Sequence, residues 1–216
     1  MSKPYVIVIG RHFGSGGREI GERLAAKLGI PLYDKTILGK VAQEQQVEDE
    51  RLRKMDEYLN AHRILNIGMQ AATPIMGAGY FFDNNVSGML DREEVYKWQS
   101  DVIRKLAEEG PCIFIGRCAD DVLKDHPNLI SVFVTAPKDA REARIREKHP
   151  NHPKEHYETH RQFIDKTDRL RAYYYNHHTG REWGSMNNYD LCLDSTKLGI
   201  EGTAEMLADY VARRIE

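Results

Sequence analysis

A short segment near the start of the chain, Gly14-Ser15-Gly16-Gly17, has the composition of a loop that binds phosphate. Glycine lets backbone N–H groups converge on an anion because no Cβ stands in the way. The segment follows the apolar run YVIVIG and precedes a stretch of helical period, whose N-terminus would add unpaired N–H groups and partial positive charge. This order predicts a nucleotide-phosphate site, and a turn that binds nothing is the alternative.

The loop departs from the usual pattern at the positions that carry charge. In G-x-x-x-x-G-K-[ST] the lysine binds phosphate and the hydroxyl binds Mg²⁺. With Gly16 as the last glycine, these positions hold Gly17 and Arg18. Arg11 and Arg18 are both candidates for the missing cation, because guanidinium groups bind phosphate well. The predicted nucleotide site comprises Arg11, Gly14, Ser15, Gly16, Gly17, Arg18 and Glu19.

A second strand-to-turn segment, CIFIGRCADDVL, places Arg117 directly after an apolar run. In an open parallel sheet, ligands bind beyond the carboxyl ends of the strands. We therefore expect Arg117 to point into the same crevice as the glycine loop and to bind substrate. The alternative is a surface ion pair with Asp120 or Asp121.

The segment HRQFIDKTDRLRAYYYNHHTGREW is the most basic and aromatic part of the chain. On a helix, Asp168 and Arg171 are three residues apart and share a face. Arginines on a closing lid would neutralise a phosphoryl group during transfer, whereas a solvated ion-pair helix is the alternative. The predicted catalytic residues are Arg18, Asp168, Arg169 and Arg171.

Short apolar runs alternate with longer stretches of helical period, which predicts a parallel α/β sheet with helices on both faces. Strands are predicted at 5–9, 31–33, 112–115, 130–135 and 189–193. Helices are predicted at 18–28, 35–45, 92–109, 138–148 and 202–214. Within a single domain, 1–216, residues 50–90 are predicted to form an insertion and 149–188 a lid or binding loop.

The composition is that of a soluble globular protein, with 41% hydrophobic and 30% charged residues among 216. A net charge of −2 argues against nucleic-acid or membrane binding through overall charge. No apolar run approaches the ~20 residues of a membrane span, and the N-terminus is a poor signal peptide. The apolar segment ATPIMGAGYFF is a candidate homodimer contact or substrate-site wall.

Cysteine and histidine usage gives no metal site. The three cysteines, in no metal-type spacing, suit reduced thiols in a cytoplasm, and we expect all three to be buried. Four histidines recur between 149 and 160, but no cysteine or clear carboxylate partner accompanies them. We therefore interpret them as titrating surface residues and assign no metal ligand.

Taken in order, six segments resemble the cytidylate kinase-like family, a branch of the P-loop nucleoside monophosphate kinases, over nearly the whole chain. They are GRHFGSGGREIG, PLYDKTIL, GPCIFIGRCADDVL, FVTAPKDAREARI, DKTDRLRAYYYNHHTGREWG and NYDLCLDSTKLGIEG. The resemblance implies the P-loop NTPase fold: a five-stranded parallel sheet flanked by helices, with a helical acceptor-binding insertion and an arginine-rich lid that closes over ATP.

The resemblance also implies roles for single residues. The family's GRD turn, whose arginine helps bind the monophosphate, maps onto Arg117, with Cys118 in place of the aspartate. Lys197 and Leu198 fall where these kinases cradle the ATP base. The lysine of true cytidylate kinases is Gly17 here. The implied acceptor-binding residues are Asp34, Lys35, Arg117, Asp168 and Arg171.

The leading hypothesis is phosphoryl transfer from ATP, with Mg²⁺, to a nucleoside monophosphate, CMP or dCMP being the first guess. Two alternatives stay open. One is a kinase for another small hydroxylated metabolite, with Asp34 as the base that accepts the hydroxyl proton. The other is a nucleotide-binding module without catalysis, which the missing lysine favours.

Overall fold

The computed structural model describes residues 4–34, 92–148 and 159–215. The chain divides into two compact units, residues 1–34 with 103–216, and residues 35–102. Of the second unit the structure describes the residues that begin one helix. The predicted helix at 35–45, the insertion at 50–90 and the segment ATPIMGAGYFF lie outside the described residues.

The described elements alternate between strands and helices along the chain. In order they are β1 (Val6–Arg11), α1 (Gly17–Leu28), β2 (Leu32–Tyr33), α2 (Arg92–Glu109), β3 (Cys112–Ile115), α3 (Ala119–Val122), β4 (Leu129–Thr135), α4 (Lys138–Lys148), α5 (His160–Thr179), β5 (Leu191–Asp194) and α6 (Gly199–Ile215). A 3-10 helix, Met186–Asn188, precedes β5. In the described part of the chain, no helix is both long enough and apolar enough to cross a membrane.

The five strands form one parallel sheet in the order β2-β3-β1-β4-β5, which confirms the predicted sheet. The central strand β1 pairs with β3 on one side and with β4 on the other. It is buried on both faces, which explains its continuous apolar sequence. Because the strands are parallel, the loop after β1 and the turn after β3 lie at the same edge of the sheet. The N–H of Gly116 in that turn donates to the carbonyl oxygen of Ile9 at 3.1 Å.

The main core lies between the sheet and the helices α1 and α6. Ile20 and Leu24 of α1 and Leu207 of α6 are fully buried in one cluster with Ile7 and Ile9 of β1. In α1, the two buried aliphatic residues are four positions apart and so fall on one face. The core thereby fixes the position of the first turn of α1 next to the carboxyl end of β1.

Two differences from the predicted elements have local causes. Strand β5 begins at Leu191 rather than at Tyr189, because the Asp190 carboxylate accepts hydrogen bonds from the backbone N–H and hydroxyl of Ser131. The expectation that all three cysteines are buried is wrong for Cys192, which is exposed because β5 is an edge strand. Cys112 and Cys118 are buried as expected.

Replacing Leu24 by alanine should lower the free energy of unfolding by about 2–5 kcal/mol, because it leaves a cavity between α1 and the sheet. Arg23→Ala, at the exposed neighbouring position, is the matched control and should change it by no more than about 0.5 kcal/mol. Urea denaturation of both variants measures the difference. Equal effects would contradict the packing of α1 on this core.

Candidate functional site

The glycine loop joins β1 to α1, and the N-cap residue of α1 is itself a glycine. Gly16 is the N-cap of α1, with φ of 83° in the left-handed region, and the cap makes no side-chain hydrogen bond. The positive φ favours glycine at this position, and a Cβ there would also lie 2.3 Å from the Cδ1 of Ile200, which would have to move. The first N–H groups of a helix have no intrahelical acceptor. They are therefore available to an anion.

Guanidinium groups from α4 and α5 bind the carbonyl oxygens of this loop. Arg141 donates to the carbonyl of Phe13 at 3.2 Å, Arg144 to that of Gly14 at 2.7 Å, and Arg171 to that of Arg11 at 3.0 Å. These bonds fix the loop backbone. They also offset the negative ends of peptide dipoles that would otherwise repel a phosphate.

Asp168 ties the same loop to both helices. One carboxylate oxygen accepts the N–H of Phe13 at 2.7 Å, and the other is 2.5 Å from the Nη1 of Arg141. The Asp168 and Arg141 side chains are only 15% and 10% exposed. Among the described residues the buried Nε of Arg141 has no hydrogen-bond partner, and Asp168 is the carboxylate that forms an ion pair with this guanidinium. Asp168 thus positions the loop in this structure.

Positive charge accumulates where β1 and β3 end. Burial lowers the pKa of Arg11 well below its usual value, and repulsion by Arg171 and Arg117 adds to the effect, against a smaller opposing effect of Asp34. Burial also lowers the pKa of Arg171 to about 10. The negative charge of Asp168 opposes this lowering, and the positive charge of Arg117 adds to it. Among the described residues, no carboxylate forms an ion pair with Arg11 or Arg117. Such a cluster attracts anions.

The turn that carries Arg117 has a strained backbone. Arg117 and Cys118 both adopt positive φ, 63° and 55°. Non-glycine residues in this region carry about 1–3 kcal/mol of strain each, and such strain is concentrated at functional sites. Cys118, which the resemblance places at the family's aspartate position, is buried.

The remaining loop residues are engaged by partners of opposite charge. Arg18 is 60% exposed and forms ion pairs with Glu22 at 3.0 Å and with the buried carboxylate of Asp34 at 3.1 Å. Glu19 forms an ion pair with Lys148 of α4. The structure therefore separates the two candidate cations, because Arg18 has two carboxylate partners and Arg11 has none among the described residues. Lys35 lies outside the described residues.

Besides Arg18, three predicted residues are exposed. Arg169 is exposed and has no ion pair in the part of the chain that the structure describes. Lys197 and Leu198 are exposed in the loop between β5 and α6. Ser195, two residues before Lys197, donates its hydroxyl to the carbonyl oxygen of Ser15 at 2.6 Å. This bond attaches the loop between β5 and α6 to the glycine loop. The assignment of Lys197 and Leu198 to an ATP base stays a prediction.

A sequence profile of the cytidylate kinase-like family matches residues 6–197. The chain belongs to the cytidylate kinase-like family. Among solved structures, it is similar to an uncharacterized protein from Eubacterium ventriosum, with 26% identity, a TM-score of 0.67, and coverage of 96% of this chain and 98% of that one. No curated protein matches the chain.

Shikimate kinases share the fold at lower identity. The enzyme from Bacteroides thetaiotaomicron is 14% identical with a TM-score of 0.53, over 97% of this chain and 99% of that one. The enzyme from Acinetobacter baumannii, in complex with shikimate, is 13% identical with a TM-score of 0.50, over 97% of this chain and 93% of that one. The fold of this family member is therefore that of the P-loop kinases, and the glycine loop after β1 is its P-loop.

The sequence analysis did not identify two parts of the P-loop environment, the arginines of α4 and His12. Arg141 and Arg144 are three residues apart in KDAREARIREK, a spacing that places two guanidinium groups on one helix face. That spacing was the available signal. His12 in the P-loop has its Nδ1 2.9 Å from the Oγ1 of Thr135 and contacts Phe133 edge-on. Burial is the main reason that its pKa is lowered.

Replacing Asp168 by alanine should lower the free energy of unfolding by about 3–5 kcal/mol, because it leaves the buried charge of Arg141 uncompensated. Asp165→Ala, three residues earlier on α5, is the matched control. Asp165 pairs with Lys138 on exposed surface, and its loss should change stability by no more than about 1 kcal/mol. Urea unfolding of both variants makes the comparison. Similar losses would show that Asp168 does not anchor the P-loop.

Proposed function

We propose that this protein is a kinase that transfers the γ-phosphoryl group of ATP to a nucleoside monophosphate, with CMP and dCMP as the first acceptors to test. The observation that carries the proposal is the pair Arg11 and Arg117, which have no ion-pair partner among the described residues at the ends of adjacent strands. If ATP were the only phosphate-bearing ligand, positive charge would be needed only at the P-loop. A second unpaired cation after β3 suits an acceptor that brings its own phosphate.

The residues present fit the phosphates of a nucleotide. Gly14 and Gly16 adopt positive φ, 78° and 83°, as in the turns whose successive backbone N–H groups form anion-binding concavities. The uncapped first turn of α1 adds N–H donors. Leu198 is 55% exposed in the loop that Ser195 attaches to the P-loop, and it offers an apolar surface on which a base can rest.

The same loop fits Mg²⁺ poorly. Arg18 occupies the position of the usual hydroxyl ligand, and the Ser15 hydroxyl is buried and donates to the carbonyl of His12 at 2.9 Å. Mg²⁺ would therefore enter the site bound to the phosphates of ATP, with no ligand from this loop.

A monophosphate acceptor makes few chemical demands on the protein. Its phosphate is already anionic at neutral pH, so no residue has to remove a proton before attack. Catalysis then consists of positioning and neutralising charge. In this proposal Arg117 binds the acceptor phosphate, and Arg171 supports the loop that holds the donor.

A second candidate is a kinase for a small hydroxylated metabolite. Asp34, whose side chain is 5% exposed, follows β2 and is the carboxylate that would accept the hydroxyl proton. The shikimate kinases share the fold, which keeps this class of acceptor open. Against it, the Asp34 carboxylate is already paired with Arg18.

A coupled assay with ATP, Mg²⁺ and a panel of monophosphates and hydroxylated metabolites tests the proposal. Turnover is expected with a monophosphate, and Arg117→Met should raise the KM for that acceptor by about 10- to 100-fold with little change in the KM for ATP. Arg146→Met, at an exposed arginine of α4 paired with Glu142, is the matched control. ATP binding without turnover on any acceptor would favour a non-catalytic module and overturn the kinase.

The Asp34→Asn variant separates the two classes of acceptor. For a monophosphate, we expect a raised acceptor KM with kcat largely retained, because the carboxylate only helps to position the acceptor. For an attacking hydroxyl, loss of the base should lower kcat by about 10²- to 10⁴-fold while ATP binding remains. Steady-state kinetics together with ATP calorimetry distinguishes these outcomes, and the second one would contradict the monophosphate proposal.

A further inference from the structure

Compared with the usual P-loop pattern, this chain has exchanged the positions of one glycine and of the cation. With Gly16 as the second glycine of G-x-x-x-x-G-K-[ST], the first glycine of the pattern falls on Arg11 and its lysine on Gly17. The chain therefore has a cation where the pattern has glycine, and glycine where the pattern has a cation. Whether this is a coincidence depends on how the two positions meet in space.

Positions 11 and 17 are in direct contact. A Cβ on Gly17 would lie 2.7 Å from the Cβ of Arg11 and 3.1 Å from its Cγ. The Cβ of residue 11 is fixed by the backbone of β1, so no change of rotamer relieves this contact. The Cβ of Val134 on β4 closes the same space at 3.2 Å. Only one of the two positions can carry a side chain without a shift of the backbone.

The course of the Arg11 side chain leads from Gly17 to the turn after β3. Its stem covers Gly17, and its Nη1 occupies the space over Gly116, where a Cβ would be only 2.1 Å away. Gly116 also has a φ of 71°. The guanidinium group thus lies between the P-loop and the turn of Arg117, with no side-chain hydrogen bond to any described residue.

The neighbouring arginines have other engagements. Arg18 is held by Glu22 and Asp34, and Arg171 donates to the carbonyl oxygen of Arg11. Arg11 is therefore the P-loop cation left available for a phosphate among the described residues.

We propose that Arg11 is the phosphate-binding cation of this P-loop, replacing the usual lysine, and that Arg11 and Gly17 form an exchanged pair. The role in binding phosphate rests on the proposed function. The steric exchange does not, because it concerns only which of two touching positions carries a side chain.

Four variants test both parts: Arg11→Met, Gly17→Lys, the double variant R11G/G17K, and Arg23→Met as the control on the exposed face of α1. ATP affinity is measured by calorimetry, and the thermal midpoint by calorimetric unfolding without nucleotide. Arg11→Met should weaken ATP binding by about 10- to 100-fold. It should not lower Tm, because it removes repulsion from Arg171 and Arg117.

Gly17→Lys should lower Tm by about 5–10 °C through overpacking against β1. The double variant restores the common pattern, so its Tm should return to within about 3 °C of the wild type. Its ATP affinity should exceed that of Arg11→Met. Arg23→Met should match the wild type in both measurements.

The possible failures are distinguishable. If the wild type binds ATP and Arg11→Met binds it equally well, the role of Arg11 is overturned while the proposed function stands. If the wild type binds no nucleotide, the proposed function and the role of Arg11 fall together, and the Tm comparison still decides the exchange. A double variant no more stable than Gly17→Lys overturns the exchanged pair.

Discussion

Hydrogen bonds from guanidinium groups to the carbonyl oxygens of the P-loop hold the site together. Arg141 and Arg144 reach the loop from α4 and Arg171 from α5, while Asp168 accepts the N–H of Phe13. The loop is thus fixed by helices that are distant from it in the chain. Because its carbonyl oxygens are bound by cations, the loop presents a more positive surface than its own peptide groups would provide.

This arrangement has an electrostatic consequence for the folded protein. Arg11, Arg117 and Arg171 repel one another at the sheet edge, and at Arg11 the opposing effect of Asp34 is smaller than the repulsion by Arg171 or by Arg117. A polyphosphate bound there would relieve the repulsion and so stabilise the fold by mass action. The turn at Arg117 and Cys118 is a second cost to stability at this edge, because the surrounding structure holds two non-glycine residues at positive φ. Stability and binding are therefore opposed at this edge.

Much of the fold follows from the sequence because buried parallel strands are continuous apolar runs. The bounds of β3, α2 and α4 agree with their predicted ranges, and the resemblance identified the family that the sequence profile confirms. The start of β5 was not predictable from local pattern, since it depends on a bond between Asp190 and Ser131, 59 positions apart. For the same reason the sequence left open whether Arg11 or Arg18 replaces the P-loop lysine, although it placed Arg18 among the catalytic residues. Only their contacts with Gly17 and Asp34 separate them.

The most direct test of this account is a crystal structure of the protein with a non-hydrolysable ATP analogue. The account predicts the β-phosphate within hydrogen-bonding distance of the Gly16 and Gly17 N–H groups, with the Arg11 guanidinium on a phosphate oxygen and Arg18 still paired with Asp34. A triphosphate bound elsewhere, or bound at the P-loop by Arg18 with Arg11 turned away, would contradict it.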